Sequence, residues 1–318
     1  MRKEKLSEYG FFVGNINELQ PAQGVLPYDL NTPLFSNYAE KLRFIKLPEG
    51  AAAVYSDTAE FELPVGTYLI KNFYYPTDFR DETKGRRIIE TRIMANTENG
   101  WQSWPYIWND AQTDAVYDPA GETKTVTYIN ASGKSVTTPY LVPNKNQCKG
   151  CHIKSGNMLP IGIAARHLNK DYNYNGTNLN QLQHWAALGM LQGLPAHNVP
   201  ANADYANQSQ SIEQRARAYL DINCGHCHRA TGPASTSGLF LDIQEANTTR
   251  LGIYKTPVAA GRGSGNLKYD IVPGKPDESI LVYRMHATDP GIAMPELGRE
   301  QIHKEGIAVI KEWIRQMK

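Results

Sequence analysis

"DINCGHCHRA", residues 221–230, sets two cysteines three positions apart with a histidine directly after the second. "NQCKGCHIKS", residues 146–155, repeats the pattern, and the pentads CKGCH and CGHCH use all four cysteines of the chain. Cysteines confined to one repeated motif point to a chemical duty rather than to packing. Three chemistries compete for such a pentad. A thioredoxin-like redox pair sits between a strand and a helix, yet "SIEQRARAYLDIN" before Cys224 reads as a helix and "YLVPNKNQ" before Cys148 as a strand running into a loop. A zinc site drawing on both CxxC pairs gives the following histidines no task, and Cys148 lies much further from Cys224 in sequence than the ligands of compact ribbons and fingers do. Haem c attachment employs every residue: two thiols bond the haem vinyl groups and the histidine meets the iron. On that reading Cys148 and Cys151 hold one haem with His152 on its iron, and Cys224, Cys227 and His228 do the same for a second.

Composition narrows the rest. The chain has 318 residues, enough for two or three domains, and its 41% apolar and 20% charged residues are those of an ordinary globular protein. A net charge of +1 offers no broad basic field for nucleic acid and no basic run for an anionic membrane. No apolar stretch is long enough to span a bilayer. "MRKEKLSEYGFFVG" at the start lacks the apolar segment of a signal peptide, so the expectation is either a cytosolic protein or a mature form whose leader has been removed.

Beyond the second pentad the sequence supplies further elements of a haem site. "ATDPGIAMPELGRE", residues 287–300, is a turn-rich loop that puts Met294 before a proline. An amphipathic helix is predicted after it, with Ile302, Gly306, Ile307, Ile310, Trp313, Ile314 and Met317 at helical spacing. Before the pentad, Ser211 and Gln214 read as a capping box opening a helix with Ile212, Ala216, Tyr219 and Leu220 on its apolar stripe. The order helix, CxxCH, loops, methionine, terminal helix resembles class I cytochrome c over residues 205–318. That resemblance implies that Cys224 and Cys227 hold the haem covalently, that His228 is proximal and that Met294 is distal. "IVPGKPDESILVYRM", residues 271–285, is similar to the segment before the Met–Pro loop in many bacterial cytochrome c domains.

The first haem is less regular. "IKSGNMLPIGIAARHLN" follows His152; Met158 is too near to cross to the opposite haem face, and Pro160 marks the place where a backbone carbonyl would accept the imidazole N–H. "NLNQLQHWAALGMLQGLP", residues 178–195, is predicted as a helix. Met190, His184 and His167 compete for the distal position, Met190 being preferred for its place at a helix end.

Residues 1–140 contain neither cysteine nor histidine. Short strand-like runs such as "LRFIKL", "TYLIKNFYY" and "RRIIETRIMA" alternate with turn clusters such as "LPEG", "TENG" and "NASGK", the pattern of an antiparallel sandwich or barrel. Trp101, Trp104, Tyr106 and Trp108 offer either a binding surface or, as expected, large rings for a core. The predicted architecture is α+β and multidomain: a β-sandwich-like domain at 1–140, a first haem region at 141–200, a polar linker at 197–211, and a cytochrome-like domain at 205–318, the haem regions being mainly α-helical. "GRGSGN", residues 261–266, lacks nucleotide-loop context and reads as a loop in which Arg262 would at most pair with a haem propionate.

Taken whole, the chain resembles a family of secreted bacterial proteins that join a β-rich N-terminal part to two haem c sites. "LNTPLFSNYAEKLRFIKLP", "WNDAQTDA", "NQCKGCH", "RARAYLDINCGHCH" and "MPELGRE" carry the likeness. It implies export to the bacterial periplasm or cell surface, where thioether attachment takes place, with a lipid anchor on a removed leader left open. The expected function is electron transfer between redox proteins that dock transiently, with no catalytic residue beyond the iron ligands. The alternative is a dihaem enzyme, peroxidase-like or acting on a small oxyanion, with an open coordination position at the first haem. In a third reading the β-rich part is a binding module that the haems serve.

Overall fold

The computed structural model describes residues 1–318, which form two compact units. The first comprises Met1–Leu30, Tyr38–Lys149 and Ile163–Pro200; the second comprises Asn31–Asn37, Gly150–Gly162 and Ala201–Lys318. The stretch 141–200, expected as one haem region, is divided between them.

In the first unit, strands β1 (Val25–Tyr28), β2 (Glu40–Lys46), β3 (Ala53–Val54), β4 (Tyr68–Pro76), β5 (Arg86–Thr97), β6 (Gly100–Trp108), β7 (Ala115–Tyr117), β8 (Glu122–Ile129) and β9 (Ser135–Val142) follow one another. Six of them make one antiparallel sheet in the order β1-β2-β4-β5-β6-β7. The central strand β4 holds four aromatic residues and Ile70, which suit a pleated surface buried on both sides. On one face Ile70, Ile93, Trp104, Tyr106 and Trp108 pack with Leu6, Phe11 and Leu19 of the N-terminal segment. Three of the four predicted aromatic residues are therefore core, and Trp101 alone is partly exposed. On the other face the β8–β9 hairpin lays Val126, Tyr128, Tyr140 and Val142 on Phe73, Tyr75 and Ile89.

Further along, α1 (Lys145–His152) carries the first pentad, and β10 (Ile153–Lys154) with β11 (Asn157–Met158) forms a small hairpin. Then come α2 (Ala165–Leu168), the hairpin of β12 (Asp171–Tyr174) and β13 (Thr177–Asn180), α3 (Gln181–Ala187) and β14 (Leu191–Gln192), which runs parallel to β3. The second unit ends with α4 (Ile212–Leu220), α5 (Ile280–His286) and α6 (Lys304–Gln316), separated by long irregular segments.

Strand accounts for 27% of the chain and helix for 23%, so the haem regions are not the mainly α-helical bodies expected from the sequence. Local turn chemistry is one reason. Ser155-Gly156 and Asn175-Gly176 both adopt positive φ, which closes two-residue hairpins where a helix would otherwise run. The helix expected over 178–195 is confined to α3, because Asn180 caps its start with bonds to the Leu182 and Gln183 amides and Gly189 turns left-handed beyond its end.

The second unit has its own core. Ile307, Ile310, Trp313 and Ile314 of α6 pack with Ala216, Tyr219 and Leu220 of α4 and with Leu281 and Met285 of α5. Gly306 sits where α4 and α6 meet; a Cβ there would lie 2.4 Å from the Tyr219 ring.

Candidate cofactor site

Local structure presents the second pentad in steps. Ser211 and Gln214 close a capping box at the start of α4, and at its end the helix widens into one π turn over Asp221–Gly225 that delivers Cys224. Gly225 permits the chain to pass Asp242, whose Cα a Cβ would approach to 2.9 Å. The His228 amide donates to the Cys224 carbonyl (2.8 Å), and its ring Nδ1 donates to the Leu239 carbonyl (3.2 Å). Burial pushes the His228 imidazole down to about 4, so it is neutral at physiological pH, as a metal ligand must be. With the proton on Nδ1, the lone pair is on Nε2.

The first pentad repeats this arrangement. His152 closes α1, its carbonyl accepts from the Leu159 amide (2.7 Å), and its Nδ1 donates to the Leu159 carbonyl (2.8 Å). The carbonyl behind the ring therefore belongs to the residue before Pro160. Each pentad thus ends in an imidazole whose tautomer and orientation are set by a downstream backbone carbonyl, the usual support of a metal-bound histidine.

The fold also joins the two motifs, which sequence spacing did not suggest. Cys151 Sγ, Cys227 Sγ and a ring nitrogen of His226 lie within 4.8 Å of one another. His226 was given no role by the sequence pattern; its Nδ1 donates to the Ile222 carbonyl (3.1 Å), which leaves the lone pair on Nε2. A hydrogen bond from Cys227 is the main cause that draws the Cys151 thiol down to about 4, against burial and with help from His226. The same bond pushes Cys227 up, whereas burial, against the charge of Arg299, takes Cys224 up to about 12. None of the four cysteines forms a disulfide.

Met294 and Cys224 line one cavity, whose wall includes Phe35, Tyr219, Met285 and His303. The loop bearing Met294 is pinned from both sides: its amide donates to the Arg284 carbonyl (3.2 Å), and Arg299 donates to the carbonyls of Arg284 (3.3 Å) and Ala287 (2.6 Å). His303, which sequence reasoning missed, stacks on Phe35 at 4.1 Å and bonds the hydroxyls of Tyr219 (3.0 Å) and Tyr205 (3.3 Å). With both ring nitrogens so engaged it is a weaker candidate ligand than the Met294 thioether. Its position at the start of α6, after "LGREQI", carries no sequence signature.

The three residues expected as alternatives for a distal ligand fall in a different unit from His152. His152 belongs to the second unit, and Met190, His184 and His167 belong to the first. His184 packs its ring on Tyr174 at 4.1 Å, His167 is buried in α2, and Met190 lies past the end of α3 with its carbonyl accepting from the Ala53 amide (2.8 Å). Arg262 lies 3.4 Å from Asp289 in an exposed ion pair. Two pairs of thiols, two oriented imidazoles and a thioether on the same cavity as Cys224 are the donor types that haem c attachment would use, although His228 and Cys227 do not line that cavity.

No helix is long and apolar enough to cross a membrane. Comparison with protein-family models, curated proteins and solved structures gave no match.

Proposed function

We propose that this chain is a dihaem c-type cytochrome that passes electrons between redox proteins in the bacterial periplasm or at the cell surface. The observation that carries the reading is the repeated support of His152 and His228, each directly after a CxxC pair and each fixed through Nδ1 by a backbone carbonyl. A thioredoxin-like site has no use for such a histidine. In this reading Cys148 and Cys151 would anchor one haem, Cys224 and Cys227 the other, and His152, His228 and Met294 would be ligands to iron.

A haem bound by histidine and methionine supplies a six-coordinate iron that changes oxidation state without exchanging ligands. The protein's part is to hold that set rigid. Leu239 fixes the ring of His228, Arg299 fixes the loop of Met294, and burial keeps His228 unprotonated. Cys151 and Cys227, one thiol of each pentad, lie close together, which supports transfer between two haems of one chain. Partners would dock transiently and over a small area.

The test is the optical and EPR spectrum of the exported protein with and without cyanide (ferric) or carbon monoxide (ferrous). Two low-spin haems indifferent to both ligands are expected. A high-spin haem that binds them would overturn the relay and place chemistry at the first haem.

A second reading rests on the Cys151, His226 and Cys227 cluster, which has the donor chemistry of a zinc site. Stoichiometric zinc in haem-free protein as isolated would favour it.

A further inference from the structure

The register of the large sheet sets cations side by side. Arg43 of β2 is directly opposite Lys71 of β4, and Lys71 is directly opposite Arg92 of β5. Directly opposite residues share a face, so three positive side chains cross the sheet at strand spacings of about 4.8 Å. Lys41 lies two residues from Arg43 and joins the same face. Like charges placed this way repel one another and destabilise a sheet.

Two of the nearby carboxylates are already engaged, and Glu40, beside Lys41, is exposed. Glu90 accepts from Arg92 and from the Tyr140 hydroxyl (2.6 Å). Asp29 accepts from Arg43 (2.7 Å) and from Lys170 (3.0 Å). Lys41 and Lys71 have no carboxylate within ion-pair distance, and Lys71 rests instead on the Phe73 ring at 4.8 Å. Arg43 is only 4% exposed, yet its Nη2 is buried without a hydrogen-bond partner. A guanidinium nitrogen so placed lacks the acceptor that buried donors almost always have. Burial, then Arg43 and Lys41, push the Lys71 ammonium well below its ordinary value, and burial with Arg43 brings Lys41 down to about 7. An anion on this face would reverse both effects.

The first pentad is close by. The helix that carries Cys148, α1, starts three residues past Val142, and Val142 shares a core cluster with Phe73, whose ring lies under both Lys71 and Arg92.

We propose that Lys41, Arg43, Lys71 and Arg92 form a carboxylate-binding site on the sheet that receives the propionates of the first haem. The ligand chemistry, two carboxylates on one small group, is shared by a free dicarboxylate, so the source has to be tested. The assignment of the source rests on the dihaem reading, whereas the site itself does not.

The probe is succinate, added to the exported protein and to its Cys148→Ser/Cys151→Ser variant, which keeps the second pentad. Succinate is expected to raise the thermal midpoint of the variant and to leave that of the two-haem protein unchanged, because propionates already fill the site. Adding Arg43→Met or Lys71→Met to the variant should abolish the response. In the absence of succinate the two backgrounds should differ in sign: Lys71→Met raises the midpoint when the first haem is absent, by relieving repulsion, and lowers it when that haem is present. No response in the variant, or one that survives both methionine substitutions, would overturn the site. An equal response in the two-haem protein would overturn the propionates as its occupant. If mass spectrometry finds no haem on the parent protein, the dihaem reading fails and the propionate source with it, while the Arg43- and Lys71-dependence of the succinate response still decides the site.

Discussion

On the dihaem reading, Met294→Ala protein is expected to bind cyanide or carbon monoxide at one of two haems, to lose the weak red-edge band of methionine-bound ferric haem, and to show a fall in that haem's potential on the order of 0.1 V, since axial ligation is a main determinant of haem potential. Met294 lines the cavity that Cys224 also lines, on a loop held by Arg299. A second thioether, Met285, lines the same cavity and provides the control. Met285 is 5% exposed and belongs to the core between α4, α5 and α6. Met285→Leu should therefore leave both spectra and potentials unchanged and cost less than about 1.5 kcal/mol of stability, as volume-conserving core exchanges do. If Met285→Leu opens the haem and Met294→Ala does not, the ligand assignment is reversed.

The Gly306→Val substitution is expected to cost the second unit about 3 kcal/mol, the upper end for overpacking a filled core, a large part of the stability of an ordinary domain. A Cβ at position 306 would stand 2.4 Å from the Tyr219 ring, far inside contact distance. The ring cannot swing aside cheaply, because it is 4% exposed and its hydroxyl bonds His303 Nδ1 (3.0 Å). Tyr219 and His303 also line the cavity of Met294, so on the dihaem reading a perturbed spectrum of the second haem should accompany the lower thermal midpoint. Gly150 gives the contrast. It occupies the spacer of the first pentad, and a Cβ added there would meet nothing within 4 Å, so Gly150→Ala should be close to neutral. A Gly306→Val protein with an unchanged midpoint would mean that α4 and α6 do not pack as closely as the core requires.

What could be read in the sequence was local. The pentads, the capping box of Ser211 and Gln214, and the apolar stripe of α6 depend on residues a few positions apart, and the capping box and the stripe form as the spacing predicts. The expectation of mainly helical haem regions failed because the helices are short, while Asn-Gly and Ser-Gly turns redirect the chain between them. The helix of 178–195 shrank for the same kind of reason: apolar spacing continued past Gly189, and backbone conformation did not. Long-range relations left no trace to read. Nothing in "CGHCH" says that His226 and Cys227 will meet Cys151, and nothing in "EKLRFIK" says that Arg43 will face Lys71 and Arg92, because strand register is set by the whole sheet.

The most direct measurement is the intact mass of the protein, exported by a bacterium competent in haem attachment, together with its iron and zinc content. A mass raised by two haem groups, with two iron atoms per chain and no zinc, is the predicted result, and serine replacement of either cysteine pair should remove one haem. An unmodified polypeptide mass with zinc bound would contradict it and assign the cysteines to a metal centre instead.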